Sequence, residues 1–229
     1  MNDSHGFSQE DLENKIYFDR WAKTYDDGRI SRWFQHTQEL VISFMSLRKD
    51  SYVLDVGCGT GYAVLRLASL IPYGKACGID ISSAMIEQAR AKTPHKFVHQ
   101  IEFTEATAEN IPHLKDTFDN VICTNSFHHY KDSVRALREI MRVLKPGGQF
   151  VIMENAPDLS WYTWLWDRLL RIGEKGHVRY YSSHELSQML RVAGFEHVKK
   201  CYLKNEFLKY GKLFASIQIW SNLKPNLKK

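Results

Sequence analysis

Residues able to do chemistry gather in two stretches of the chain. The first is VLDVGCGTG, Val53–Gly61, where three alternating glycines follow Asp55. Glycine between a strand and a helix permits positive φ and lets a ligand approach bare backbone. A phosphate loop needs G-x-x-x-x-G-K-[ST]; Gly57 opens none, because Tyr62 and Ala63 stand where glycine and lysine are required. The dinucleotide fingerprint G-x-G-x-x-G also fails, since its third position is Tyr62 and the glycine stands at 61. The spacing here is D-x-G-x-G-x-G. Pyrophosphate is anionic, and an acid ending the first strand would repel it. Asp55 instead suits a cationic or amine-bearing ligand, such as the α-amino group or sulfonium of S-adenosylmethionine (SAM). Asp80, in GIDIS and 19 residues after Gly61, can accept both hydroxyls of a ribose. It could instead cap the following helix, but Ser82 is the better cap. A tight turn with no ligand is the competing reading of the loop, and three glycines with Asp55 exceed what a turn requires.

The second stretch is the pair His128-His129, just past a strand. A sulfonium ligand gives up a carbon group by in-line displacement, for which a protein aligns the nucleophile and excludes water. A phenol, an enolisable carbon or an ammonium can also need a proton removed. Histidine changes charge near neutral pH, so His128 or His129 is a candidate base, with Glu154 next. The competing readings are loop histidines bonded to backbone, and a surface or capping carboxylate at Glu154. No carboxylate cluster or C-x-x-C pair points to a metal.

These residues need a frame, and the sequence supplies alternating strands and helices. Strands are expected at Ser51–Val56, Lys75–Ile79, Gln100–Glu105, Phe118–Thr124, Gly148–Glu154, Phe195–Leu203 and Leu213–Trp220. Helices are expected at Thr60–Ile71, stopped by Pro72, at Ser82–Lys92, at Ser133–Leu144, ended by Lys145-Pro146-Gly147, and at Ser183–Val192. This alternation implies right-handed βαβ units. The fold class is therefore α/β: a doubly wound, mostly parallel seven-stranded sheet with helices on both faces. The ligand belongs beyond the carboxyl ends of the first strands, near the switch point.

VLDVGCGTG, GIDIS, Thr107–Pro112 (TAENIP), FDNVICTNSFHH and VLKPGG together resemble the class I SAM-dependent methyltransferases, with their Rossmann-like fold. The chain is most similar to the branch that includes ubiquinone/menaquinone-biosynthesis C-methyltransferases. Phe18–Asp26 and Tyr180–Phe195 match that branch too, and the resemblance covers roughly residues 17–203. It implies SAM as cofactor. It places Gly57, Cys58, Gly59 and Gly61 along the methionine part, with Asp55 near the amino group. Asp80 takes the ribose, Ile81 packs on adenine and Met85 joins the cofactor site. Thr107, Ala108 and Glu109 lie at the adenine edge, although many relatives carry aspartate where this chain has Thr107. Asn125 lines the SAM–acceptor junction, and Tyr17 and Tyr25 belong to an N-terminal lid. Enzymes that methylate exocyclic amines of DNA or protein glutamine resemble one another in an N/D-P-P-Y/F run; Asn125-Ser126-Phe127-His128 lacks the prolines. The implied activity is methyl transfer to a small hydrophobic or aromatic molecule. An RNA or protein methyltransferase and a non-enzymatic SAM-binding protein are the alternatives.

The layout expected is one domain over 1–229, with a helical lid over 1–45 and a helical cap insertion over 156–182. The cap carries SWYTWLWDRLLRIG, Ser160–Gly173. On a helix Ser160, Thr163, Asp167 and Arg171 form one polar stripe; Trp161, Trp164, Leu165, Leu169 and Ile172 make an apolar face that Tyr162, Trp166 and Leu170 extend, a wide surface that must be covered. Sheet packing or a homodimer contact, a lipophilic substrate, and peripheral membrane docking helped by Lys175, Arg179 and the basic tail are the three coverings. The tail NLKPNLKK is expected to fray. With 44% apolar and 25% charged residues and a net charge of +5, the 229-residue chain has an ordinary globular balance. The aromatics follow helical spacing and the charges are dispersed, so no nucleic-acid partner is expected. The scattered Cys58, Cys77, Cys123 and Cys201 read as reduced thiols of a cytoplasmic protein, and the polar N-terminus lacks the apolar run of a signal peptide.

Overall fold

Residues 8–173, 177–207 and 214–226 are described by a computed structural model. Two helices, α1 (Gln9–Ala22) and α2 (Gly28–Ser43), come first. Then follow β1 (Tyr52–Val56), α3 (Tyr62–Leu70), β2 (Lys75–Asp80), α4 (Ser83–Ala91), β3 (Ile101–Glu105), β4 (Phe118–Thr124), α5 (Ser133–Val143) and β5 (Leu144–Asn155). The chain closes with α6 (Trp161–Gly173), α7 (Ser183–Val192), β6 (Glu196–Phe207) and β7 (Phe214–Leu223).

The seven strands form one sheet in the order β3-β2-β1-β4-β5-β7-β6. β1 runs parallel to β2 and β4, with Val53 opposite Ala76 and Asn120. Only β7 is antiparallel to its neighbours β5 and β6. Residues alternate between the two faces of each strand. Leu54 and Val56 therefore join the α5 and α7 residues Leu137, Ile140, Leu186 and Leu190 in one core. Val53 joins Val41 of α2, Val64 and Leu67 of α3, and Ile86 of α4 in the other. Covering both faces explains why the central strands read as continuous apolar runs rather than as alternating ones. The order reverses between β1 and β4, so the ends of those two strands open a crevice.

The structure departs from the sequence expectation at α5, at the tail and at α6. α5 stops at Val143, and Leu144 to Gly148 continue directly as strand. Pro146 disfavours the helical region for Lys145, so the chain turns extended before the proline. The tail is tied down at Lys224: its N–H donates to the Gly148 carbonyl at 2.9 Å, and its Nζ lies 2.6 Å from Asp116. The cap helix α6 is turned inside out. Thr163 and Asp167 of its polar stripe are buried, whereas Trp161, Trp164, Trp166, Leu169 and Ile172 are exposed. Leu213, Lys175 and residues 227–229 lie outside the described residues.

Candidate cofactor and acceptor site

The glycine loop is built by strand ends. Gly57 and Cys58 N–H groups both donate to the Ile79 carbonyl at 2.9 Å, tying the loop to the end of β2. Asp80 closes the other side: Oδ2 accepts Gly59 N–H at 2.8 Å and Oδ1 accepts Ser82 N–H at 2.9 Å. Ser82 is the true N-cap of α4, its Oγ accepting Met85 N–H at 3.1 Å. The Asp80 carboxylate keeps further lone pairs beyond these two amides, since a carboxylate offers about four acceptor positions. Burial pushes its pKa up to about 6 against the pull of those two amides. Asp55 is buried behind the loop, and desolvation followed by the Asp80 charge pushes it up to about 8. Two crowded, desolvated carboxylates make a site that favours a cation.

The cavity at this crevice has a volume of about 670 Å3. Gly57, Gly59, Asp80, Ile81, Met85, Thr107, Ala108, Glu109, Asn125, Tyr17 and Tyr25 line it, as do His128 and His129. Four residues that the sequence put at the site do not line it, each for a stated reason. Asp55 is sealed beneath the loop and acts through its field. Gly61 is the N-cap of α3 with φ 85°, and a Cβ there would stand 2.7 Å from the Phe103 ring and 2.9 Å from Ala89. Its smallness serves packing rather than ligand contact. Cys58 is 2% exposed and points into the core beside Val64. Glu154 has no exposed surface, because the turn after β4 sits on it, with Phe127 N–H and His128 Nδ1 against its carboxylate. By contrast, a Cβ on Gly59 would meet the Tyr25 hydroxyl at 3.3 Å, so this glycine holds space on the cavity wall.

Helix α1 and the turn after it lie against α4 and the loop. Asp19 of α1 accepts the Ser82 hydroxyl at 2.6 Å and Ala84 N–H at 3.1 Å, so an acid sits at the positive end of α4. Asp26 accepts the Thr60 hydroxyl at 2.7 Å and pairs with Lys92 at 2.6 Å. Phe18, Trp21, Tyr25 and Phe34 form consecutive ring contacts, ending in Tyr25 stacked on Phe34 at 5.4 Å. Burial, then the charges of Asp80 and Asp55, raise the Tyr25 pKa, so its hydroxyl stays protonated as a donor.

The turn after β4 carries Asn125 and both histidines. Asn125 takes φ 54°; its Nδ2 donates to Thr37 at 2.9 Å, and its buried Oδ1 has no hydrogen-bond partner among the described residues. Asn125 also lines the cavity, so this unpartnered acceptor lies in a residue of its wall. His128 is buried and its Nδ1 lies 2.7 Å from Oε2 of Glu154, whose Oε1 accepts Phe127 N–H at 2.8 Å. Burial, then the neighbouring His177, hold the His128 pKa well below its usual value. Burial raises Glu154 to about 7. His129 packs against His128, with ring centroids 3.9 Å apart, and edge-on to Phe18 at 4.9 Å.

His177 and Phe34 carried no signal in the sequence, whereas Tyr180, Trp21 and the α6 residues lie in stretches it singled out. His177 packs on His128 at 5.2 Å and is held through Nε2 by Asp167 of α6, 2.9 Å away. Tyr180 lines the cavity, and its N–H donates to the same Asp167. Trp21, Phe34, Tyr162, Trp166 and Leu169 complete the apolar wall. Among the described residues there is no His, Cys, Asp or Glu cluster able to hold a metal ion.

Residues 53–148 match the family described as Methyltransferase domain. An uncharacterized methyltransferase of Bacillus subtilis, YcgJ, is 31% identical over 182 residues, covering 78% of this chain and 70% of that protein. A demethylmenaquinone methyltransferase of Symbiobacterium thermophilum is 30% identical over 223 residues, covering 82% and 87%. In fold, the chain is similar to one in the complex of the Haloferax volcanii Trm112 methyltransferase activator with a methyltransferase: TM-score 0.78, 22% identity, 94% of this chain and 99% of that one.

Proposed function

Because the chain belongs to the class I SAM-dependent methyltransferases, we propose that it methylates a small lipophilic or aromatic acceptor, with His128 as the base where the acceptor must lose a proton. The observation that carries this reading is a shared cavity. The glycine loop and Asp80 line it, and so do His128 and an aromatic wall from α1, α2 and α6. Its volume of about 670 Å3 lies within the roughly 300–1,000 Å3 usual for small-molecule sites. The relative named demethylmenaquinone methyltransferase supports a small-molecule acceptor.

When bound, SAM supplies an electrophilic methyl group on sulfur. Asp80 orients the ribose, and the buried carboxylates of Asp55 and Asp80 favour the cationic end. The Trp21, Phe34 and Trp166 rings hold the acceptor by apolar contact and keep water out. Nδ1–H of His128 donates to Glu154, which leaves Nε2 to take the acceptor proton. His129 faces the same cavity as a second candidate, and Glu154 is a positioning residue. Incubation with methyl-labelled SAM and a metabolite extract tests the reading. Label is expected in a solvent-extractable small molecule, lost in His128→Ala with SAM binding intact. Label found only in RNA or protein would overturn it.

A further inference from the structure

Helix α6 shows its apolar side to solvent, and we infer that this face docks on an anionic lipid surface from which the cavity is loaded. The polar stripe is spent inside: Thr163 accepts Ser216 N–H at 3.2 Å, and Asp167 binds His177, Tyr180 N–H and Arg171. These buried contacts fix the rotation of the helix. Trp161, Trp164 and Ile172 then point outward at 63%, 51% and 88% exposure.

Charge and continuity select the occupant. Asp167 is the only acid of α6 and is buried in its pair with Arg171, so the cation the helix exposes beyond that pair is Arg168. Arg168 lies 5.4 Å over the Trp164 ring, a pairing of cation and indole suited to a headgroup layer. The apolar surface does not stop at the outer face. Leu165, Trp166 and Leu169 of α6 and Ile30 of α2 are each more than 40% exposed and also line the cavity. An apolar path thus runs from the outer face into the site. With 13 residues the helix is about 20 Å long, too short to cross a hydrocarbon core of about 30 Å and suited to lying in its plane.

Docking goes beyond the proposed acceptor class and is tested without any acceptor. The full chain is sedimented with vesicles of phosphatidylcholine alone and with vesicles containing phosphatidylglycerol, at low and at raised salt. Binding is expected to the anionic vesicles, weakened by salt and at least about tenfold weaker for Trp161→Ser/Trp164→Ser/Ile172→Ser. None of the three lines the cavity, so SAM binding by the variant, scored separately, is expected to match the parent. Absence of binding to both vesicles overturns the inference, as does equal binding by the triple variant. A dimer in solution that the triple variant dissolves also overturns it, because the face is then covered by a second copy. Each of these failures leaves the proposed methyl transfer standing.

Discussion

Nδ1 of His128 lies 2.7 Å from Oε2 of Glu154, and neither side chain has appreciable solvent contact. At that distance the imidazole keeps its Nδ1 proton on the carboxylate and presents Nε2 as an acceptor.

Loss of this base predicts a specific pattern. His128→Ala lowers kcat by about 10²-fold or more, the lower end of what a positioned base contributes. SAM affinity stays unchanged, because the loop and Asp80 are untouched. Glu154 is raised to about 7, so its orienting carboxylate forms, and turnover rises, as pH climbs through 7. Glu154→Gln keeps an acceptor for the ring but removes that titration, giving a smaller loss in kcat and a flat profile near pH 7. Rates measured across that range for both variants check the assignment, and normal turnover by His128→Ala would sink it.

Asp55 predicts a pH dependence of SAM binding. Its folded pKa of about 8 exceeds the unfolded value of about 3.9. Between those values the folded protein holds a proton that the unfolded chain has released. The ligand-free protein therefore loses stability as pH rises through the window, and the loss levels off above about 8. A cationic ligand favours the ionised carboxylate, so binding releases a proton and tightens with pH up to about 8, by at most about tenfold per pH unit. Asp55→Asn flattens this slope and raises the ligand-free melting temperature at pH 8. Titration calorimetry in two buffers of different ionisation enthalpy counts the protons, and a wild-type slope of zero would refute the coupling.

The legible parts of the site were those whose partners lie nearby in sequence. Ser82 caps α4 three residues ahead of its donor, and the strand–loop–helix order around Gly57 and Gly59 is local. Asp80 announced itself by following a strand. What failed needed tertiary neighbours. Gly61 looks like its two companions until Phe103 and Ala89 stand against it. Glu154 looks like a reachable carboxylate until Phe127 and His128 of the turn after β4 close over it. Periodicity put Thr163 and Asp167 on one stripe of α6, but it cannot say which stripe faces inward. That was decided by Ser216, His177 and Tyr180, which offer polar partners to the stripe.

Asp167 predicts how far the cap governs the acceptor site. Its side chain is 4% exposed and takes His177 Nε2, Tyr180 N–H and Arg171 together. Burial alone would raise its pKa; the Tyr180 amide, His177 and Arg171 outweigh that and hold it below the usual carboxylate range. Its stabilising contribution is therefore present above the unfolded value of about 3.9 and disappears as pH falls through the lower folded one. Asp167→Ala strands a buried histidine and a buried amide, at a cost of about 3–5 kcal/mol. Tyr180 and the α6 wall then lose their fixed positions against His128, while α1, α4 and the glycine loop keep theirs. The expected result is a lower melting temperature and a raised acceptor KM with SAM affinity retained. Asp167→Asn, which still offers an oxygen to Tyr180 N–H, falls between the two. Equal loss of SAM and acceptor binding in Asp167→Asn, measured well below its melting temperature, would show instead that the cap and the cofactor loop stand or fall as one unit.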